Sequence, residues 1–463
     1  MSMLSSAPLF GAVIEKGPLD WQIIQQTNGK ADIYLAGKWY FDKITGLEKV
    51  YVRIMEECTS STVIPYTTCT MLGDNQWEVT IKDVPAGGLY RIEVSLNNND
   101  EGLEWSNRGD MIHHIGVGDI FVIAGQSNAA GYGRDPIYDM PELGIHVLRN
   151  YGNWDIASHP LSDSTRTQHP VNRERINPGH SPFLNFARQL KRILGYPIGL
   201  IPTAKGGSSL SSWNPGESGE LYQNMIEIIR NTGGKIKGVL WYQGCGDSGE
   251  ENSQSYLTRF GNLVKRMRED LGQNELPFFT VQLNRYVDST IFKADKGWGT
   301  VKEAQRQAAR QIPKVYITPS LDAATCDIIH NCASSNMVIG ERLARLALKY
   351  LYNYNSLCSA PEISSAERLS GNRVSLVFEN VFERLTFRKA EPGELPFTIE
   401  DEEGTVQITH YNIVKNTFIL DLEREIKGKT FVSCGAEQCP KFQMPFDTVS
   451  FLPLLAFYRV EIR

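Results

Sequence analysis

Between residues 119 and 352, short apolar runs alternate with longer amphipathic stretches. The runs are DIFVIAG (119–125), IGLIP (198–202), KGVLWYQG (237–244), LPFFTVQL (276–283) and KVYITPS (314–320). Helical periodicity fills much of the space between them, near 220–231, 254–271, 300–311 and 336–352. A strand that is apolar on both faces needs cover on both faces, and a helix after each strand supplies it. The alternation therefore predicts an α/β fold, a parallel sheet covered by helices. In open sheets of this kind, ligands bind in the crevice at the carboxyl ends of the strands. Here those ends carry GQSN (125–128), TAKGGSSLSSW (203–213), WYQGCGDS (241–248) and SLDAATCDIIHN (320–331).

The flanks read differently. ADIYLAGKWYF, KVYVRIMEE, WEVTIKDV and GLYRIEVSL before residue 115 are rich in alternating β-branched and aromatic residues, with Gly, Asn and Asp between them. NRVSLVFENV, TVQITHY, NTFILDL and LLAFYRVEI follow residue 355. A chain of 463 residues exceeds what one core sustains. Three units are expected: a sandwich-like β domain over 1–115, the α/β domain over 116–354 and a β-rich domain over 355–463. His113 and His114 fall at the first junction and are expected in a linker. A net charge of -6 argues against nucleic acid or an anionic membrane as main partner. No apolar run approaches the roughly 20 residues a membrane helix needs. MSMLSSAPLF has no basic region followed by an apolar core, so a cytoplasmic location is expected unless a leader precedes this sequence. The eight cysteines show no metal-binding spacing. Cys326 and Cys332, and Cys434 and Cys439, are close enough in sequence to bridge, but free buried cysteine is the commoner state.

Serine, glycine, glutamine and an Asp/His pair at four strand ends are the parts of an acyl-transfer site: a nucleophile, a base, an orienting carboxylate and oxyanion donors. Ser127 needs an imidazole beside it to act as a nucleophile. His146, His159, His169 and His180 lie in polar loops and His410 in the C-terminal β region. His330 alone follows a sheet strand with an acid three residues earlier, Asp327. That spacing lets one turn carry both members of the pair. Asp322, eight residues upstream, is the competing acid. The glycine-rich loop at 206–212 lacks the phosphate-cradling pattern.

Together the GQSN turn, the KGGSS loop, the WYQG segment and the D-x-x-H segment resemble the SGNH hydrolases, and within them the carbohydrate acetylesterase branch typified by sialate O-acetylesterases. The resemblance covers 119 to about 350, and more weakly the flanks. It implies an SGNH (flavodoxin-like) sheet with Ser127 as nucleophile, Asp327 and His330 completing a triad. It also implies an oxyanion hole made by the N–H groups of Ser127 and Gly206, with Gly207 the alternative, and by the side-chain amide of Gln243. Members of this branch often carry Glu two residues after that Gln, where this chain has Cys245. Trp213 and Asn128 are expected to contact substrate, Trp213 by stacking on a sugar face; Trp241 and Tyr242 are read as mostly structural.

The function expected is a serine esterase removing acetyl groups from carbohydrate through an acetyl-enzyme, with no metal or organic cofactor. Its partner is an acetylated mono-, oligo- or polysaccharide. A xylan or mannan acetylesterase of the same mechanism is the near alternative. A carbohydrate-binding protein with a retired site, or an acyl hydrolase acting on lipid or peptide, are the alternatives of other classes. An acidic sugar would call for a basic pocket, and Arg134, Arg149 and Lys205 lie near the motifs.

Overall fold

The computed structural model describes residues 11–41, 44–97, 103, 107–176, 178–287, 295–387 and 391–463. Its central strand, β1 (Asn107–Gly125), is 19 residues long and serves two sheets at once. Its first part pairs antiparallel with Gly87–Asn97 and parallel with Ile23–Gln25. Its second part pairs parallel with β4 (Ile198–Pro202) on one side and β5 (Gly238–Tyr242) on the other. The expected junction at 115/116 thus lies inside one strand, and no linker separates the two units. His113 and His114 are strand residues; His114 reaches Glu57 Oε2 at 2.7 Å and packs on the ring of Trp21.

With β2 (Ile145–Leu148), β3 (Trp154–Ile156), β6 (Phe278–Val281) and β7 (Val315–Thr318), the sheet runs in the order β3-β2-β4-β1-β5-β6-β7. All neighbours are parallel except β3, which is antiparallel to β2. The edge pair β2–β3 is not among the elements the sequence pattern suggests. From β1 the chain first completes one side of the sheet, β2 and β3 and then β4 beside β1, and afterwards the other, β5 to β7, so the crevice at the ends of β1, β4 and β5 is the place where strand order reverses.

Among the described residues seven α-helices accompany the sheet: α1 (Ser127–Ala130), α2 (Phe183–Leu194), α3 (Leu210–Trp213), α4 (Glu220–Asn231), α5 (Glu250–Leu271), α6 (Asp295–Gln311) and α7 (Ala333–Tyr352). Side chains of β1 alternate between the two layers. Ile120, Val122 and Ala124 join a core with residues of α4, α5 and α6. Phe121 and Ile123 join one with α2 and α7. Strands β4, β5 and β6 are buried at every residue and almost wholly apolar because both faces are covered.

The N-terminal unit has two sheets enclosing one core, in which Leu35 and Trp77 from one meet Val52, Ile92 and Val94 from the other. The C-terminal unit has two four-stranded sheets around Phe378, Phe397, Phe418 and Phe457. It docks through side chains rather than a shared strand. Lys302 of α6, fully buried, donates to the carbonyls of Gly435 and Glu437 at 2.8 Å each. Gln282 exchanges two hydrogen bonds with the Ala456 backbone. All eight cysteines are free, the two pairs noted above included. Among the described residues no helix is long and apolar enough to cross a membrane.

Candidate active site

The serine turn is built by backbone geometry. At Gly125 the backbone has φ +126°, and a Cβ there would lie 2.3 Å from the Tyr242 carbonyl oxygen, so only glycine can leave β1 this way. Gln126 then donates its N–H to the Tyr242 carbonyl, and its own carbonyl accepts from Ala129 and Ala130, opening α1. Ser127 stands at the first position of that helix, 7% exposed. Its N–H has no acceptor among the described residues, as expected in a first turn.

The histidine loop is held by side chains. His330 Nδ1 lies 2.6 Å from Asp327 Oδ2. An ionised carboxylate can only accept, so the ring proton sits on Nδ1 and leaves Nε2 as the basic atom. Asp327 Oδ1 accepts the N–H groups of Ile329 and His330 at 2.9 and 2.7 Å. Burial pushes this carboxyl up, but those N–H groups and the imidazole outweigh it and hold it below the usual carboxylate range. The competing acid, Asp322, has both oxygens on the guanidinium of Arg342, at 2.8 and 2.5 Å. The loop is drawn to the serine turn by Asn128. Its Nδ2 donates to the Ile329 carbonyl at 3.2 Å and its Oδ1 accepts the Asn331 N–H at 3.1 Å, gripping the chain on either side of His330. Tyr132, one turn beyond Ser127, stacks on the His330 ring with centroids 4.7 Å apart. No hydrogen bond joins Ser127 to His330 among these contacts; such bonds often close only in the substrate complex.

Three expectations need correcting, and a fourth residue gains a role. Asn128, 4% exposed, commits Oδ1 and one of its two Nδ2 hydrogens to the histidine loop, a positioning role that the sequence reading does not assign to it. Trp213 is fully buried, donates Nε1 to Ser208 Oγ at 3.0 Å and packs edge-on against Trp241, so it offers no face to a sugar. Gln243 is fully buried, with Nε2 donating to Ser208 O at 3.2 Å and Asp247 Oδ2 at 2.6 Å, and Oε1 accepting from Tyr256. Both its N–H bonds are used, so it has no donor left for an oxyanion. The Gly206 N–H donates to Glu174 Oε1 at 2.8 Å and is likewise occupied. Gly207, at φ +70°, has an N–H without a partner among the described residues.

The amide that remains free is on Gln126. Its Oε1 accepts the N–H groups of Gly244 and Gly246 at 3.0 and 3.2 Å, which fixes the side chain. Its Nε2 is then left without an acceptor among the described residues, next to Ser127. The doublet Gln126-Ser127 was in view in the sequence, but nothing in it tells which of two glutamines is tied up. Asp247, two residues past Cys245, supplies the buried carboxylate of this loop, bonded to Gln243, the Leu210 N–H and Arg259. Of the basic residues near the motifs, Arg149 is buried and spent on Asp155, Ser158 and the carbonyls of Ile156 and Pro160. Lys205 binds the Val171 carbonyl. Arg134 is exposed, its guanidinium 5.9 Å from the centre of the Tyr132 ring.

Among the described residues, Asp139, His159 and His180 bring metal-ligand atoms within 4.8 Å of one another. Both imidazoles already share Asp139 Oδ2 at 2.9 Å, and Arg188 lies 2.6 Å from Oδ1 as an ion pair out of hydrogen-bond alignment. A guanidinium there supplies the positive charge a cation would bring, which fits a structural network better than a metal site.

Known proteins fit this layout. A carbohydrate acetylesterase from Xanthomonas citri superposes with a TM-score of 0.67 at 19% identity, covering 95% of this chain and 97% of that one, a likeness of fold. An Arabidopsis thaliana protein named as a probable carbohydrate esterase is 32% identical over 186 residues, 35% of this chain and 68% of its own. Human sialate O-acetylesterase is 23% identical over 319 residues, 58% of this chain, and the match spans 57% of the human protein. The family described as carbohydrate esterase, sialic acid-specific acetylesterase, matches residues 117–349, half of the chain and the half that holds both the serine turn and the histidine loop. The protein belongs to that family of carbohydrate esterases.

Proposed function

We propose that this protein is a serine esterase that removes O-acetyl groups from carbohydrate through an acetyl-enzyme. The observation that carries the reading is the Asp327–His330 pair at 2.6 Å, held against the serine turn by the two-sided grip of Asn128. Ser127 Oγ attacks the ester carbonyl while His330 Nε2 takes its proton. Asp327 keeps the ring in the required tautomer and stabilises the imidazolium. The proton then goes to the departing sugar oxygen, and water, activated by the same imidazole, releases acetate. The oxyanion is met by the N–H of Ser127 and by Nε2 of Gln126, with the Gly207 N–H a third donor, rather than by Gly206 and Gln243. The substrate class proposed is an acetylated sialic acid, with acetylated xylan or mannan second. Arg134, exposed beside Tyr132, supports an acidic sugar.

Acetate release from acetylated sialosides, xylan and mannan, by the wild type and by Ser127→Ala, tests this. Serine-dependent release from a sialoside at the highest kcat/KM is expected. Release confined to xylan or mannan would reassign the sugar. No Ser127-dependent release from any acetyl ester would mean a retired site.

A further inference from the structure

The carboxylate of Glu174 spans two parts of the site. One oxygen accepts the Gly206 N–H at 2.8 Å, and the other accepts the phenol hydrogen of Tyr132. A Cβ on Gly206 would come within 3.0 Å of both Glu174 Oε2 and Tyr132 Oη, so the three groups are in close contact. The Tyr132 ring lies on the His330 ring, 4.7 Å between centroids and 23° between planes. The Tyr132 turn is itself fixed, because Gly133 pairs with His180 on one side. The mechanism above uses neither Tyr132 nor Glu174.

We infer that Tyr132 is a positioning residue for His330 and that Glu174 is the anchor that holds it, an inference that rests on His330 being the general base. The geometry gives the reason. A single hydrogen bond from Nδ1 to Asp327 fixes one direction in the imidazole plane but leaves the ring free to rock about that bond. A stacked ring fixes the plane. The two constraints together aim Nε2. The stack also acts on charge. The face of an aromatic ring attracts a cation, and the imidazole becomes one only as Ser127 attacks, so the interaction strengthens in the transition state. A phenol that donates to a carboxylate has a more electron-rich ring, which adds to the effect. Glu174 is a strut and not a plug. Both its oxygens are spent on partners that the fold holds in place, a backbone N–H and a phenol pinned by stacking.

The test compares Tyr132→Phe, Tyr132→Leu and Glu174→Gln with the wild type on p-nitrophenyl acetate, with thermal melting as the check on folding. Tyr132→Leu removes the aromatic face and should lower kcat roughly tenfold, with KM within about twofold, because only the transition state carries the imidazolium. Tyr132→Phe keeps the face and should restore kcat to within about threefold of the wild type. Glu174→Gln removes the charge and leaves one acceptor oxygen for two donors, Tyr132 and Gly206, and should cost about threefold in kcat at unchanged KM. A Tyr132→Leu enzyme with wild-type kcat overturns the inference. So does an equal loss in the Phe and Leu variants with raised KM, which would mark a substrate contact. Should Tyr132→Leu fail to fold, unchanged kcat in Glu174→Gln overturns it. Absence of Ser127-dependent turnover in the wild type sinks the esterase reading itself, an outcome distinct from all of these.

Discussion

The turn that carries Ser127 and the loop that carries His330 are held by different means. The first is set by the backbone: a glycine that no other residue can replace, an N–H bonded to the neighbouring strand, and a helix start, all within six residues. The second has little regular structure and is positioned from outside. Asn128 reaches it from 201 residues away in sequence, Arg342 clamps Asp322, and Tyr132 lies on the imidazole. A nucleophile fixed by the main chain tolerates change in the side chains around it. A base fixed by side chains does not, and each holder contributes a separable part of the rate.

The largest expected effect is on the backbone-fixed side. Ser127→Ala removes the nucleophile and should lower kcat by at least about 10⁴, since loss of the nucleophile in a Ser–His–Asp enzyme costs roughly 10⁶. Its melting temperature should stay within about 2 °C, because nothing in the turn depends on Oγ. Turnover near the wild-type rate would dismiss the nucleophile. Next comes Asp327→Asn. The amide can donate to the same ring nitrogen and select the wrong tautomer, a change that costs about 10⁴ in the serine proteases. A smaller loss, about 10² to 10³, is expected here because the imidazole keeps its stack on Tyr132. A kcat within threefold of the wild type would show that Asp327 does not orient the base.

The same division explains what was legible in the sequence. Strands β4 to β7 and helices α4 to α7 stand where periodicity predicts them, because their faces are buried by layers that repeat along the chain. Helix α2 had its signal too: apolar residues at 183, 184, 186, 187 and 190, with Gly195 in the left-handed region as C-cap. The boundary at 115 falls inside a strand because β1 runs unbroken from Asn107 to Gly125 and pairs with both sheets, and composition cannot tell one strand in two sheets from two strands. Residue types at the site were visible at the strand ends. Which amide is free and which is spent was not, since Gln243 is consumed by Ser208 and Asp247 while Gln126 is anchored by Gly244 and Gly246. Glu174 carries no local signal at all; its role depends on where a loop happens to cross the crevice.

The two glutamines give the next test. Gln126→Ala should lower kcat by about a hundredfold with little change in KM, the mark of an oxyanion donor. Gln243→Ala should act on stability instead. It leaves a buried carboxylate short of one donor and opens a cavity, which costs about 2–4 kcal/mol. Melting curves and steady-state kinetics on both variants separate the roles. If Gln243→Ala melts like the wild type but loses kcat, the assignment of the two amides must be exchanged.

The smallest effect belongs to Asp322, and it decides how the histidine loop is held. Its carboxylate lies 20 residues from Arg342 in sequence and takes both guanidinium nitrogens, while its side chain is 40% exposed. A bidentate pair with one partner at the surface contributes little to stability, on the order of 1 kcal/mol. Arg342 also donates to the Pro319 carbonyl, so it stays in place when the acid is lost. Asp322→Asn should therefore leave kcat within about threefold, since Asn keeps one hydrogen bond to Arg342 and the His330–Asp327 contact is untouched. Asn128→Ala makes the contrast. It releases the loop on both sides of His330 and should cost about tenfold in kcat, midway between Asp322→Asn and Gln126→Ala. Measured side by side, the two variants tell whether the base is aimed from the serine turn or from α7. A crippled Asp322→Asn beside an active Asn128→Ala would move the anchor of the loop from Asn128 to Arg342.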